Sequence, residues 1–198
     1  DVRLWLDSPP RSSYPACMAV KAAAEQGPAV AGRFLRVLRE GFACRRLRLD
    51  RSEALLDQAR GQDSLDLQRF TVGLGSHAIV EAFGADLEQA RAGDSDGERI
   101  TLPSIDFEGE GGERHEAHGS SSYGDYRDAV IACGAVPGGS PAPDVEQALA
   151  HFESMATAEV AEVCRLPGPR AAAELWRLAS EWRVRSEAVG SGELWSLA

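Results

Sequence analysis

Four cysteines, four histidines and one oddly placed proline are the residues of this chain whose types could do chemistry. Two cysteines separated by two residues would exchange disulfides, and Cys and His at ligand spacing would hold zinc. Cys17, Cys44, Cys133 and Cys164 form no such pair and no zinc-like spacing. Each lies in an apolar helical context, where a free thiol behaves as a small hydrophobe, so all four are expected to be buried structural thiols. His115 and His118 stand three apart on a predicted strand and point to opposite faces, which bars a shared ion. His77, in the first turn of a helix, and His151, near the end of another, are expected to face solvent. Gly73 and Gly75 follow no strand and make no phosphate loop. No Ser/His/acid set assembles from spacing alone.

The proline is Pro103, inside the strand-like run Ile-Thr-Leu-Pro-Ser-Ile-Asp-Phe at 100–107. Proline cannot donate to a β-ladder, so an edge position, a bulge or a cis peptide bond is the usual reason for its survival there. A Gly-rich turn, a second strand at 113–118 and a helix at 122–133 follow. Ser122 is the expected N-cap of that helix, with Asp125 three residues on and Tyr126, Ala129, Val130 and Cys133 on one face.

Ahead of this motif the chain reads as about five short helices. The first covers 13–26, and Gly27-Pro28 stops it and starts the next. That helix carries Phe34, Leu35, Leu38 and Phe42 at helical spacing. Asp50 with Glu53 resembles a capping box ahead of Leu55 and Leu56. A helix at 65–74 follows, and Ser76 caps another with the stripe Ile79, Phe83, Leu87 and Ala90. Residues 91–98 read as a polar loop.

Residues 134–143 are rich in Gly and Pro and read as a linker. Beyond it stand a helix at 145–152, a helix at 158–164 capped by Thr157, and a turn at Leu166-Pro167-Gly168-Pro169. A helix at 170–182 follows, with Leu175, Trp176 and Leu178 inward. Two strands around Gly190-Ser191-Gly192 close the chain, in winged-helix order.

The 198 residues are 43% hydrophobic and 26% charged, which suits one large or two small globular domains. A net charge of -10 argues against a protein dominated by phosphate contacts. From Asp144 onward nine acidic residues face five arginines (Arg165, Arg170, Arg177, Arg183 and Arg185), a net of -4, so the tail is expected to contact protein rather than DNA. No run approaches membrane-span length and no signal segment is seen. The thiol usage points to the cytoplasm.

Several runs resemble the DsbA-like thioredoxin-fold family. They are Ser12-Ser13-Tyr14-Pro15-Ala16-Cys17-Met18-Ala19-Val20-Lys21-Ala22-Ala23, Gly32-Arg33-Phe34-Leu35-Arg36-Val37-Leu38-Arg39-Glu40 and Ser76-His77-Ala78-Ile79-Val80-Glu81-Ala82-Phe83. Leu102-Pro103-Ser104 matches the family's cis-proline loop. Met155-Ala156-Thr157-Ala158-Glu159-Val160-Ala161 and Gly192-Glu193-Leu194-Trp195 resemble the tail of its cytoplasmic branch, which includes the ClpXP protease adaptor for the regulator Spx. The family's βαβ unit with the redox motif has no counterpart here. The resemblance therefore implies a chain truncated at its N-terminus, with residues 1–10 just before the helical insertion.

The expected fold is α/β, or α+β in this fragment: a partial thioredoxin-like fold with a helical insertion and a winged-helix-like module. The expected domains are the insertion at 1–98, the ββα half at 99–134, a linker at 135–143 and the module at 144–198. The resemblance implies a thiol–disulfide oxidoreductase-like protein whose substrate-binding residues are Leu102, Pro103 and Ser104 and whose nucleophile is absent from this chain. A non-catalytic adaptor presenting a client to a protease is the alternative, and a glutathione-dependent isomerase of the kappa-class transferase group is the second. No metal or other cofactor is expected. The expected partners are a client protein or peptide thiol and a protein at the tail, with neither DNA nor membrane.

Overall fold

The computed structural model describes residues 3–92 and 102–198, so most of the predicted loop at 91–98 and the start of the run at 100–107 lie outside the described residues. Two compact units divide the chain. One joins Asp1–Phe83 to Ala142–Ala198, and the other is Gly84–Pro141. The architecture is mixed α/β.

Among the described residues six helices precede the first strand: α1 (Arg3–Asp7), α2 (Tyr14–Ala24), α3 (Pro28–Ala43), α4 (Ser52–Arg60), α5 (Leu67–Leu74) and α6 (His77–Ala92). Gly27 ends the turn after α2 at φ 119°, a conformation that favours glycine, and Pro28 opens α3 where a missing N–H costs nothing. Phe34 and Leu38, one turn apart, are buried against Ala19, Leu55 and Phe70, and the rings of Phe34 and Phe70 meet edge-on at 5.2 Å. Asp66 caps α5 by accepting from the N–H of Arg69 at 3.0 Å.

Three local expectations fail here. Asp50 does not cap α4. Its carboxylate instead accepts from Arg48 Nε at 2.9 Å and from the Arg11 N–H at 2.8 Å, and Arg51 stands at the N-cap. The stripe on α6 is buried only at Ile79, while Phe83 and Leu87 are half-buried and Ala90 is exposed. Cys17 is exposed, because α2 buries Ala19, Ala22 and Ala23 and so turns position 17 to the far side of the helix.

The same unit contains α8 (Val145–Phe152), β3 (Met155–Ala156), α9 (Thr157–Val163), α10 (Gly168–Ser180), β4 (Val184–Val189) and β5 (Gly192–Leu197), numbered after α7 (Tyr123–Ala132) of the other unit. The strands form one antiparallel sheet in the order β3-β5-β4, with Met155 opposite Trp195 and Ser186 opposite Trp195 on the other side. Asp144 and Gln147 cap α8 reciprocally, side chain to backbone in both directions. Thr157 is the first residue of α9 rather than its cap, and its hydroxyl accepts from Trp195 Nε1 at 2.9 Å. α10 starts two residues before its predicted onset. It buries Ala171, Leu175 and Leu178, spaced by four and three, so Trp176 falls off that stripe and is 53% exposed instead of inward. Its ring stands edge-on to the fully buried Trp195 at 5.0 Å.

In the second unit β1 (Ser104–Glu108) pairs antiparallel with β2 (Arg114–His118), and α7 (Tyr123–Ala132) follows. Pro103 precedes β1 instead of interrupting it, so the ladder loses no donor. The Ser122–Asp125 capping box opens α7: Ser122 Oγ accepts from the Asp125 N–H at 3.2 Å, and Asp125 accepts from the Ser122 N–H at 2.8 Å. Tyr126, Ala129 and Cys133 are half-buried, but Val130, expected on the same face, is exposed. The Cys133 thiol donates to the Phe107 carbonyl at 3.4 Å, which ties the end of α7 to the hairpin.

Candidate functional site

The candidate site is built around the loop that opens β1. The Leu102–Pro103 peptide bond is cis. Leu102 is 80% exposed, and Pro103 is exposed beside it. Strand pairing sets Ser104 opposite His118, and this register brings Ser104 Oγ within 3.0 Å of His118 Nδ1. The other ring nitrogen, Nε2, lies 3.1 Å from Glu116 Oε2. Ser104, His118 and Glu116 thus form a polar chain next to an exposed apolar residue. Sequence spacing missed this set because residues 14 positions apart become neighbours only once the hairpin register is known.

An imidazole held between a hydroxyl and a carboxylate could polarise Ser104. His118 and Glu116 are both largely exposed, however, so water competes for every bond in the chain. The arrangement suits hydrogen bonding to an extended peptide more than nucleophilic attack. His115 is opposite Phe107 in the register and does not join the set.

No disulfide joins the four cysteines. Burial, with Asp144 adding to it, pushes the Cys164 thiol above its ordinary value and makes it a poor nucleophile. No group of three or more metal-ligating side chains occurs among the described residues. Among them, no helix is long and apolar enough to cross a membrane.

A second charged site joins α3 to the tail. Arg36 donates to Glu159 at 2.7 Å, to Glu40 at 2.7 Å and to the Ser154 carbonyl at 2.8 Å. Arg45 reaches Glu187 at 2.9 Å and also contacts Glu40. Bonding to Glu159 raises Arg36 above its ordinary range, and the same contact holds the Glu159 carboxyl below its own. Glu187 is lowered by Arg45 in the same way. These charge-assisted contacts link α3 and the turn after it to the tail.

Comparisons with known proteins agree with the sequence resemblance. A family model described as thioredoxin matches residues 1–95. The ClpXP adapter protein SpxH of Bacillus subtilis is 30% identical over 98% of this chain and 65% of its own length. The protein of the same name from Halalkalibacterium halodurans is 27% identical over 98% of this chain and 63% of its own. That from Shouchella clausii is 30% identical over 92% of this chain and 60% of its own. The chain therefore spans less than two thirds of the length of these curated relatives.

Proposed function

Because this chain resembles a thioredoxin-fold family and the ClpXP adapters over nearly all its residues, we propose that the protein is a non-catalytic adaptor that presents a client protein to a protease. The observation that carries this reading is the likeness to adapters across 98% of the chain, tail included. A thioredoxin match alone would fit an enzyme equally well.

In this reading Leu102, Pro103 and Ser104 contact the client. Exposed Leu102 supplies apolar surface, and the Ser104–His118–Glu116 chain offers a hydroxyl and an imidazole to an extended backbone. The tail is a winged helix. Its element order and the β3-β5-β4 sheet support that reading. Its arginines support a protein contact over DNA: Arg177 is held by Glu174 and Glu181, Arg183 by Glu146, and Arg185 by Ser196. Arg177 and Arg183, already committed to acids, release few counterions on meeting a duplex. The same reading places the protein in the cytoplasm, in keeping with four cysteines outside any disulfide.

The thioredoxin match also favours a second reading, a thiol–disulfide oxidoreductase whose thiolate would come from outside residues 1–198. One assay pair separates the two. Purified ClpXP is offered the regulator Spx with and without the protein at its full natural length, and insulin reduction by the same preparation is followed in parallel. The adaptor reading expects faster Spx loss, slowed by Leu102→Asp, and insulin reduction at the uncatalysed rate. Unchanged Spx degradation would overturn it, and insulin turnover would move the assignment to the oxidoreductase.

A further inference from the structure

An apolar cavity of about 380 Å³ lies among α1, α2 and α3, at the lower end of the usual size for small-molecule sites. Trp5 forms one wall, edge-on to Phe42 at 5.5 Å, and Val20, Leu35 and Leu38 form others. The polar residues on the lining are few: Ser12, Ser13, Cys17 and Arg39.

Arg39 sets this cavity apart. The other arginines of α3 are engaged, Arg33 with Ser64 Oγ at 3.0 Å and Arg36 with Glu40 and Glu159. Arg39 has no hydrogen-bond or ion-pair partner among the described residues. Arg39 is exposed on the lining, so its guanidinium is open to the carboxylate of a ligand. A single unmatched cation beside an apolar chamber complements a monoanion with an apolar body. A phosphate or other polyanion would call for several cations, and a neutral apolar ligand would leave the guanidinium unused.

We infer that this cavity binds an amphipathic monocarboxylic acid, its hydrocarbon among Trp5, Leu35 and Phe42 and its carboxylate on Arg39. The guanidinium fork would take the two carboxylate oxygens side by side, and burial of the chain would supply most of the affinity. Cys17, exposed and on the lining, would be covered by the bound acid. The inference rests on α1 to α3 alone and is independent of the adaptor reading.

The test is titration with decanoate below its micelle concentration, read by tryptophan fluorescence and by the alkylation rate of Cys17. The proposal expects saturable 1:1 binding that slows Cys17 alkylation. Arg39→Gln should weaken decanoate about tenfold, the usual worth of a charge-assisted hydrogen bond, while leaving decanol unchanged. Leu35→Trp should abolish binding by filling the chamber. Equal decanoate affinity in wild type and Arg39→Gln, or alkylation of Cys17 unaffected at saturation, would overturn the proposal.

Discussion

In the unit that joins residues 1–83 to 142–198, two apolar clusters close completely, one around Phe34, Leu55 and Phe70 and one around Leu149, Leu175 and Trp195. Between Gly84 and Pro141 no described residue is fully buried, and the best-covered aromatics, Phe107 and Tyr126, are only half-buried at a ring distance of 6.3 Å. Among its described residues, the hairpin, α7 and the end of α6 form too few layers to bury an apolar face completely. The cores thus carry the stability, while the candidate client loop sits in the unit with the least of it. Low local stability is usual where a segment must adapt to a partner.

The largest effect should come from the closed side. Trp195 has no exposed surface and bonds Thr157 through its indole N–H. Trp195→Ala should cost about 3–5 kcal/mol and unfold the tail, visible as loss of near-ultraviolet circular dichroism and a lower Tm. A loss below about 1 kcal/mol would show that this core is looser than its burial implies.

The open side should respond to a smaller change by a different route. A Cβ on Gly109 would stand 2.3 Å from the Cys133 carbonyl oxygen and 2.7 Å from Glu113 Oε2. Backbone cannot yield as a side-chain tip can, so Gly109→Ala should cost about 1–3 kcal/mol. The damage should stay local, with faster amide exchange in β1 and β2 and an unchanged signal from Trp195. Exchange as slow as in wild type would mean that the end of α7 moves aside freely.

Trp176 sharpens the contrast within the tail. It is half-exposed but covers one edge of Trp195. Trp176→Ala should cost about 1–2 kcal/mol, mostly the edge contact and a partial apolar area, and leave the tail folded. Chemical denaturation of the two tryptophan variants side by side reads this directly. Equal destabilisation would return Trp176 to the core.

What was legible in the sequence was local. Ser122 with Asp125 announced α7, and the spacing of Phe34 and Leu38 announced the buried face of α3. Asp50 misled because two arginines, one of them distant, outbid the helix N-terminus for its oxygens. Trp176 misled because hydrophobicity was read without its phase. One residue past Leu175 is a 100° turn away from the stripe. Strand β3 is two residues long, too short for any alternation to show. The Leu102-Pro103-Ser104 loop could be located, but its partner His118 depends on strand register. Arg36 and Glu159 are 123 positions apart, a separation no periodicity reports.

That long-range pair gives the smallest expected effect and the one most sensitive to conditions. Both side chains keep more than a third of their surface in water, so screening leaves the pair worth about 1 kcal/mol or less. Glu159→Gln keeps the shape and the acceptor toward the Ala156 N–H but removes the charge facing Arg36. The Glu159 carboxyl is lowered in the folded state by Arg36, so its contribution is fully present above the ordinary carboxylate value of the unfolded chain. It is lost as pH falls from that value through the lowered folded one. Protonated Glu159 then resembles Gln. The stability gap between wild type and Glu159→Gln should therefore be widest near neutral pH, narrow through the acid range and shrink in 1 M salt. Urea titrations across that range, at two salt concentrations, would measure it. A gap independent of pH would assign the contact between α3 and the tail to packing and neutral hydrogen bonds, and would remove electrostatics from what distinguishes this unit.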